Sequence, residues 1–456
     1  MIAPARVAAY KILSAVSSGR ADLPTAIAAA RADLAGAGIN IERDRALASD
    51  IATGVQRMRA ALDHLITAFS KRNIDRLDPE IVEILRLSTY QLLYHSRVPA
   101  SAVVDDAVDL ARRAGKGSAA GFVNAVLRTI SRQRASLPLP PRPANGADRA
   151  AALDYFSITL SHPRWLASRW YDRIGFDATE AWLVFNNAPA PLTLRANSLR
   201  LSREDLVQRL AAEAVVVRPA RFAPDGFLVE EGQPLAGAGF DKGWFVVQDE
   251  ASQLVALLAG THPGPRVLDA CASPGGKTTA IAAAMNDGGL LVACDVRSRR
   301  VELLRRTVAA SGASRVRIVQ ADLVTPLPFG DLFDCVLVDA PCSGLGTLRR
   351  DPDIRWRRRE SDLAPLAAAQ LVMLRHAAEA VAPGGRLVYA TCSSEPEENE
   401  AVAARFLEEA PQFAAVDACT ASDLPGSVVD ERGHLRTLPH VHGLEAFFGA
   451  VFQRRL

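Results

Sequence analysis

Along residues 1–132 the apolar positions recur every three or four residues, as at Val7, Tyr10 and Leu13, at Ile81, Ile84 and Leu85, and on to Leu92 and Leu93. That period predicts one helix after another, and a helical bundle is the natural way to bury such stripes. Asp78 followed by Pro79 reads as an N-cap with proline at the first helical position. Residues 122–128 read as a further amphipathic helix. The period is lost over 133–150, where proline, alanine and arginine dominate, the composition of a partly stiffened linker.

Residues 151–240 mix two patterns. The stretch 192–197 reads as a strand, Ser202 as the N-cap of a helix running to about Ala212, and 214–217 as a second strand. A small α/β module is expected there. From 241 to 456 short apolar runs alternate with helical ones. Strands are expected at 266–269, 289–295, 316–320, 333–339 and 385–391, with helices such as 277–285, 298–311 and 363–381 between them. This alternation predicts a parallel, doubly wound sheet. The fold class is therefore multidomain: an all-α bundle, a small α/β subdomain and a larger α/β domain.

Composition changes the picture only in places. A chain of 456 residues with 49% hydrophobic and 23% charged positions is a globular one that needs more than one core. The net charge of +2 does not announce a nucleic-acid binder. Arginine supplies most of the positive charge, which suits forked phosphate contacts but follows equally from a GC-rich genome. No apolar run is long enough to span a bilayer, and Arg6 and Lys11 interrupt the N-terminal stretch, so no membrane span, no secretory signal and a cytoplasmic setting are expected. The six cysteines form no CxxC pair and the eight histidines no ligand cluster, so no metal site is expected.

Candidate chemistry lies at the predicted strand ends. Asp269 closes the first of these strands and is followed by Cys271, Ala272, Ser273, Pro274, Gly275, Gly276 and Lys277, and then by a helix. A glycine-rich turn from strand to helix lets backbone N–H groups approach a ligand. Asp295 ends the next strand about twenty residues on, where an acid can accept hydrogen bonds from ribose hydroxyls. Asp322, after the third strand, can reach an adenine edge. A phosphate-binding P-loop is excluded because Cys271 stands where it needs glycine, and a dinucleotide fingerprint because the two glycines are adjacent.

Two further loops each carry a cysteine beyond a strand: Asp339-Ala340-Pro341-Cys342-Ser343-Gly344 and Thr391-Cys392-Ser393-Ser394. Ligands of open parallel sheets bind beyond the carboxyl ends of the strands, so Cys342 and Cys392 face the site, while Cys271, Cys294, Cys335 and Cys419 default to packing. A thiolate adding to carbon 6 of a pyrimidine makes carbon 5 nucleophilic enough to accept a methyl group, and a base then removes the carbon 5 proton as the thiol leaves. A helix N-terminus expected at 394–397 would favour such a thiolate, and Asp339 could hydrogen-bond the base near N3. Position alone leaves open which cysteine attacks. The arginines around Trp356, in 348–359, suit phosphate contact and base stacking.

The motifs 269–278, 339–344 and 389–393 resemble those of the RNA cytosine-5 methyltransferases, and the N-terminal helices resemble the antitermination factor NusB. Together they are similar to the bacterial 16S ribosomal RNA methyltransferases of the RsmB/Sun (Fmu) type. The resemblance implies a Rossmann-like catalytic domain, S-adenosyl-L-methionine as cofactor, and RNA, namely 16S rRNA, as partner. It implies cofactor contacts from Cys271, Ala272, Ser273, Pro274, Gly275, Gly276, Lys277, Asp295, Arg300, Asp322 and Asp339. It assigns Cys392 as nucleophile and Cys342 to product release. Gln248 to Ser252 matches the motif entering the catalytic domain, and 194–197 a segment of the RNA-contacting subdomain. Ser273, Glu445-Ala446 and Asp105-Asp106 depart from the family pattern. The rival readings are a non-enzymatic RNA-binding or assembly factor, a nicotinamide-dependent oxidoreductase, and methylation of transfer RNA instead.

Overall fold

The computed structural model describes residues 2–34, 41–144, 146, 148–260 and 264–456. It comprises two compact units, Met1–Pro189 with Leu348–Arg358, and Ala190–Thr347 with Arg359–Leu456.

The first unit is helical. Its helices include Pro4–Ser17, Ile41–Arg57, Arg59–Ser70, Pro79–Tyr94, Ala100–Arg113 and Ala120–Arg132. Pro79–Tyr94 is buried on all sides from Ile81 to Leu92, the mark of a central helix. Pro79 takes the first helical position as expected. Asp78 does not cap: its carboxylate pairs with Lys116 at 3.0 Å instead. In Pro4–Ser17 the inward face is Ala5, Ala8, Ala9, Ile12, Leu13 and Val16, so Val7 and Tyr10 lie at its margin. Small alanines let the helices close up. Asp106, one of the unexpected acids, accepts from the buried Arg6 guanidinium, so its charge is spent inside the bundle.

Residues 133–144 carry no helix or strand and are tied down where His64 Nε2 meets Pro138 O at 2.8 Å and Thr159 Oγ1 donates to Pro140 O at 2.6 Å. Of the expected linker, residues 145 and 147 lie outside the described residues. The sequence pattern opens the α/β module at 151. In the structure the helix Arg164–Asn187 belongs to the first unit, where Trp170 stacks on Trp182 at 4.7 Å, and the second unit begins at Ala190.

The second unit holds two sheets. The smaller is fully antiparallel, with β1 (Thr193–Ala196), β2 (Val216–Pro219), β3 (Gly226–Glu231) and β4 (Phe245–Val247) in the order β2-β3-β1-β4. Its core of Leu194, Leu206, Leu210 and Phe227 includes one face of the helix Arg203–Ala212, which Ser202 caps by accepting from Asp205 N at 3.0 Å.

The larger sheet is built from β5 (Arg266–Asp269), β6 (Leu290–Asp295), β7 (Val316–Gln320), β8 (Phe333–Asp339), β9 (Val381–Thr391), β10 (Phe413–Val416), β11 (Leu435–Thr437) and β12 (Phe447–Arg454). The order is β10-β12-β9-β8-β5-β6-β7, with β11 beside β12. Pairs among β5 to β9 are parallel, but β12 runs antiparallel to both β9 and β10, so the sheet is mixed and not parallel throughout. No long crossover helix precedes β12, and without one a strand returns antiparallel. Alternation along the strands puts Val267, Leu337 and Val388 in one core and Leu268, Val336, Val338 and Leu387 in the other. Both faces are covered, so the carboxyl ends of β5, β6, β8 and β9 form the accessible rim.

Candidate active site

The turn after β5 is shaped by sterics. Gly275 has φ +107°, and a Cβ there would lie 3.0 Å from Leu304 and 3.1 Å from Thr307. The helix Gly276–Ala284 starts directly after it. Ser273 N donates to Asp295 Oδ2 at 3.2 Å, and Arg300 reaches both that oxygen, at 3.3 Å, and Ser273 O, at 2.8 Å. Asp295 thus sits beside the loop, as expected. Asp322 is exposed and accepts from its own turn at Val324 N.

Asp269 is buried, and burial pushes its carboxyl up to about 7, against the hydrogen bond from Thr278 Oγ1 at 2.6 Å. Its Oδ1 is buried with no hydrogen-bond partner. A buried acceptor without a donor, a loop held open by a left-handed glycine, and acids at consecutive strand ends make a donor set that fits a ligand carrying an amino group and ribose hydroxyls. S-adenosylmethionine has both.

At the ends of β8 and β9 the structure brings the two loop cysteines together, with Cys342 Sγ 3.3 Å from Cys392 Sγ. Both are half-buried, whereas Cys294 and Cys335 are buried inside strands as packing thiols, where burial pushes each up to about 12. Lys277 Nζ donates to Asp339 Oδ2 at 2.6 Å. Burial opposes its charge, but Asp339, with Cys392 behind it, outweighs burial and raises its pKa. Its ammonium also lies 5.8 Å from the Phe447 ring at the start of β12, where Glu445-Ala446 departs from the family pattern.

Two expectations are corrected. The helix N-terminus expected at 394–397 is a single 3₁₀ turn, Pro396–Glu398, too short to carry the dipole expected of it, and the α-helix starts only at Glu400. In the segment 194–197, Arg195 is buried: it donates to Gly276 O and Gln248 Oε1 at 2.5 Å and to Thr279 Oγ1 at 2.8 Å, bracing the first turn of the Gly276–Ala284 helix. The arginine stretch is only in part an open surface: Arg357 and Arg359 are exposed, but Leu348–Arg358 belongs to the helical unit and its centre is built into it. There Arg355 is fully buried and donates to Ser161 O and Asn187 Oδ1, each at 3.0 Å, while Trp356 Nε1 donates to Gln56 O at 2.6 Å.

Sequence reasoning gave no role to Glu398, Gln370 and Tyr389, all fully buried beneath the cysteine loops. Glu398 accepts from Ser343 N at 2.8 Å, Ser393 Oγ at 2.5 Å and Gln370 Nε2 at 2.9 Å. Tyr389 donates to Gln370 Oε1 at 3.0 Å and Glu398 O at 2.5 Å. The faint signals were an acid in the stretch after Cys392 and the place of Tyr389 at the start of the motif 389–393; Gln370 had none.

Comparison with known proteins places this site in a family. A model described as 16S rRNA methyltransferase RsmB/F matches residues 256–453, the NusB family model matches 3–132, and a ferredoxin-like domain of RsmF/B-like methyltransferases matches 162–236. The probable ribosomal RNA small subunit methyltransferase B of Bacillus subtilis is 34% identical over 89% of this chain and 90% of its own. Ribosomal RNA small subunit methyltransferase B of Pseudomonas putida is 33% identical over 92% of each. A solved methyltransferase homolog from Pyrococcus horikoshii, 27% identical, covers 67% of this chain and 99% of its own with TM-score 0.57. Fold and site together define an S-adenosylmethionine-dependent RNA methyltransferase. The chain belongs to the RsmB/F family of 16S rRNA methyltransferases. Among the described residues no helix is long and apolar enough to cross a membrane, and no cluster of ligating side chains could hold a metal.

Proposed function

We propose that the protein methylates carbon 5 of a cytosine in small-subunit ribosomal RNA, in the cytoplasm, through a covalent bond between Cys392 and carbon 6 of the base. The observation that carries this reading is the 3.3 Å approach of two thiols at adjacent strand ends beside the Lys277–Asp339 pair. The loop 271–277 with Asp295, Asp322, Arg300 and Asp339 holds the cofactor, which supplies an electrophilic methyl group when bound. Cys392 Sγ bonds to carbon 6, and the electron pair of the 5,6 double bond moves so that carbon 5 becomes the nucleophile. Asp339 hydrogen-bonds the base near N3, and Lys277 orients that carboxylate. Once carbon 5 is substituted, its proton passes to a base and the pair of the C5–H bond reforms the double bond. In the same step the C6–S bond breaks and Cys392 leaves with its electron pair as the thiolate, with Cys342 assisting release. The NusB-like helices (1–132) and the small module (151–240) bind RNA around the target.

The test is a Cys342→Ala variant incubated with S-adenosylmethionine and small-subunit ribosomal RNA and run on denaturing gels. An RNA–protein adduct is expected, and a second change, Cys392→Ala, should remove it. Methylation without any adduct would overturn the cysteine roles. Adduct on transfer RNA but not on ribosomal RNA would move the substrate. No methylation of either RNA, even by the wild type, would favour an assembly factor.

A further inference from the structure

β8 and β9 are neighbouring parallel strands with Asp339 opposite Ala390, so the two cysteine loops leave the sheet side by side. Adjacent strands lie about 4.8 Å apart, inside the roughly 4.4–6.8 Å between Cα atoms that a disulfide spans. The sulfurs of Cys342 and Cys392 already meet at 3.3 Å. A sulfur–sulfur bond is about 2.0 Å long, so closure asks for little more than an ångström of movement. The residues next to the cysteines tie the loops to each other. Ser343 Oγ and Ser393 Oγ meet at 3.2 Å, and the Glu398 carboxyl group accepts from Ser343 N at 2.8 Å and from Ser393 Oγ at 2.5 Å. Gly346 N donates to Cys392 O at 2.9 Å. These ties hold the sulfurs against one another and leave rotation of the two side chains to make the move. Both cysteines are half-buried, whereas Cys294 and Cys335 are sealed inside strands.

We infer that Cys342 and Cys392 form a site of reversible oxidative modification, closing into a disulfide when a hydroperoxide reaches them. The bond itself does not depend on the cytosine-5 reading; its consequence, an enzyme switched off by oxidation, rests on that reading. With hydrogen peroxide, one sulfur attacks an oxygen and the O–O bond breaks. That oxygen stays on the sulfur as a sulfenic acid, and the other leaves as water. The second sulfur then attacks the first, the S–S bond forms, the S–O bond breaks and a second water leaves. Two thiols have lost two electrons and two protons, and the peroxide has become two waters. A sulfur held in contact intercepts the sulfenic acid before a second peroxide can carry it to the irreversible sulfinic acid. A dithiol reductant reverses the step: one of its thiolates attacks the S–S bond, and its second thiol displaces the protein from the mixed disulfide. While the bond is closed, neither sulfur can attack a base or assist its release.

The test exposes the full-length wild-type chain, native and without RNA, to hydrogen peroxide, blocks the remaining thiols and maps the peptides by mass spectrometry without reduction. A linked Cys342–Cys392 peptide, lighter by two hydrogens, is expected to account for the thiols lost from the two loops, and dithiothreitol should restore both. Cys419, exposed in the helix Ala418–Ala421, serves as the internal control for general oxidation. In Cys342→Ala and in Cys392→Ala the remaining loop thiol should pass to sulfinic acid, which dithiothreitol does not recover. Loop thiols lost without a linked peptide, or left intact while Cys419 is oxidised, would overturn the proposal. Methyl transfer by the oxidised wild type should fall in proportion to the linked fraction and return with dithiothreitol. A linked chain that still transfers methyl groups at its starting rate would overturn the switch together with the cysteine roles. An absent bond beside the expected RNA adduct would overturn the switch alone. The mapping uses no RNA, so it decides the bond even where no methyl transfer is read.

Discussion

Residues 339–347 and Leu348–Arg358 follow one another in the chain, and both are rich in polar chemistry, yet they end in opposite circumstances. The first stretch stays on the sheet unit, where β8 aims it, the Glu398 carboxylate fastens it and the Cys342 thiol remains half-exposed. The second belongs to the helical unit, where Arg355 is sunk among carbonyl oxygens and Asp353 accepts from Leu23 N at 3.1 Å and from Arg357 at 2.9 Å. One stretch carries reactivity and the other architecture. Polar composition alone does not separate the two, because a guanidinium satisfies a ring of buried carbonyls as readily as it meets a phosphate.

The sharpest test of that contrast lies on the sheet unit, at the strand ends to which the first stretch belongs. Cys392→Ala should lower methyl transfer by about 10⁴-fold or more, while leaving urea unfolding within about 1 kcal/mol of the parent. A residual rate only tenfold down would mean that the loops do not carry the chemistry. Asp269→Asn should show itself in stability, measured without cofactor. Asp269 is raised to about 7 in the folded chain against 3.8 in the unfolded one, so between about pH 4 and 7 the folded state holds a proton that the unfolded state has released. Stability therefore falls as pH rises through that window. The variant, measured without cofactor, should exceed the wild type by up to about 4 kcal/mol at pH 8 and match it by pH 4. A constant difference across pH would show that Asp269 is ionised in the fold.

In the other stretch, Arg355→Met leaves Ser161 O and Asn187 Oδ1 without their donor and should cost about 2–4 kcal/mol in chemical denaturation. Arg359→Ala, at an exposed neighbour, should stay within about 0.5 kcal/mol. Equal losses at both would return the stretch to a surface role. Asp295→Ala should weaken cofactor binding about 10–100-fold by calorimetry, the loss of charge-assisted hydrogen bonds. A smaller change would mean that the acid serves only Ser273 N and Arg300.

Legibility in the sequence followed the range of the interactions. The helix Ser298–Ser311 and the strands Val316–Gln320 and Phe333–Asp339 were readable to the residue, because each is a local period with local ends. β9 was read short, at 385 and not Val381, because Gly384 and Gly385 look like a turn, whereas the strand passes through them. β12 escaped notice because its first six residues, Phe447 to Phe452, are a continuous apolar run, and such a run gives neither a period nor a direction. In the site, the glycine turn and the cysteine loops were legible because strand-end motifs are contiguous. Glu398, Gln370 and Tyr389 come from three elements, so no window of sequence contains their meeting.

By itself the sequence determined the alternation of strand and helix, the turn that only glycine can make at 275, and the presence of acids and thiols at strand ends, since each depends on neighbours a few residues away. Tertiary structure alone decided that β12 is reversed and that Lys277 pairs with Asp339 at the end of β8. It alone decided that Arg195 and Arg355 are braces, and that one buried carboxyl group, that of Glu398, joins both cysteine loops. Those outcomes turn on which distant groups share a desolvated space, where an unpaired polar atom is expensive and a nearby charge acts undiluted.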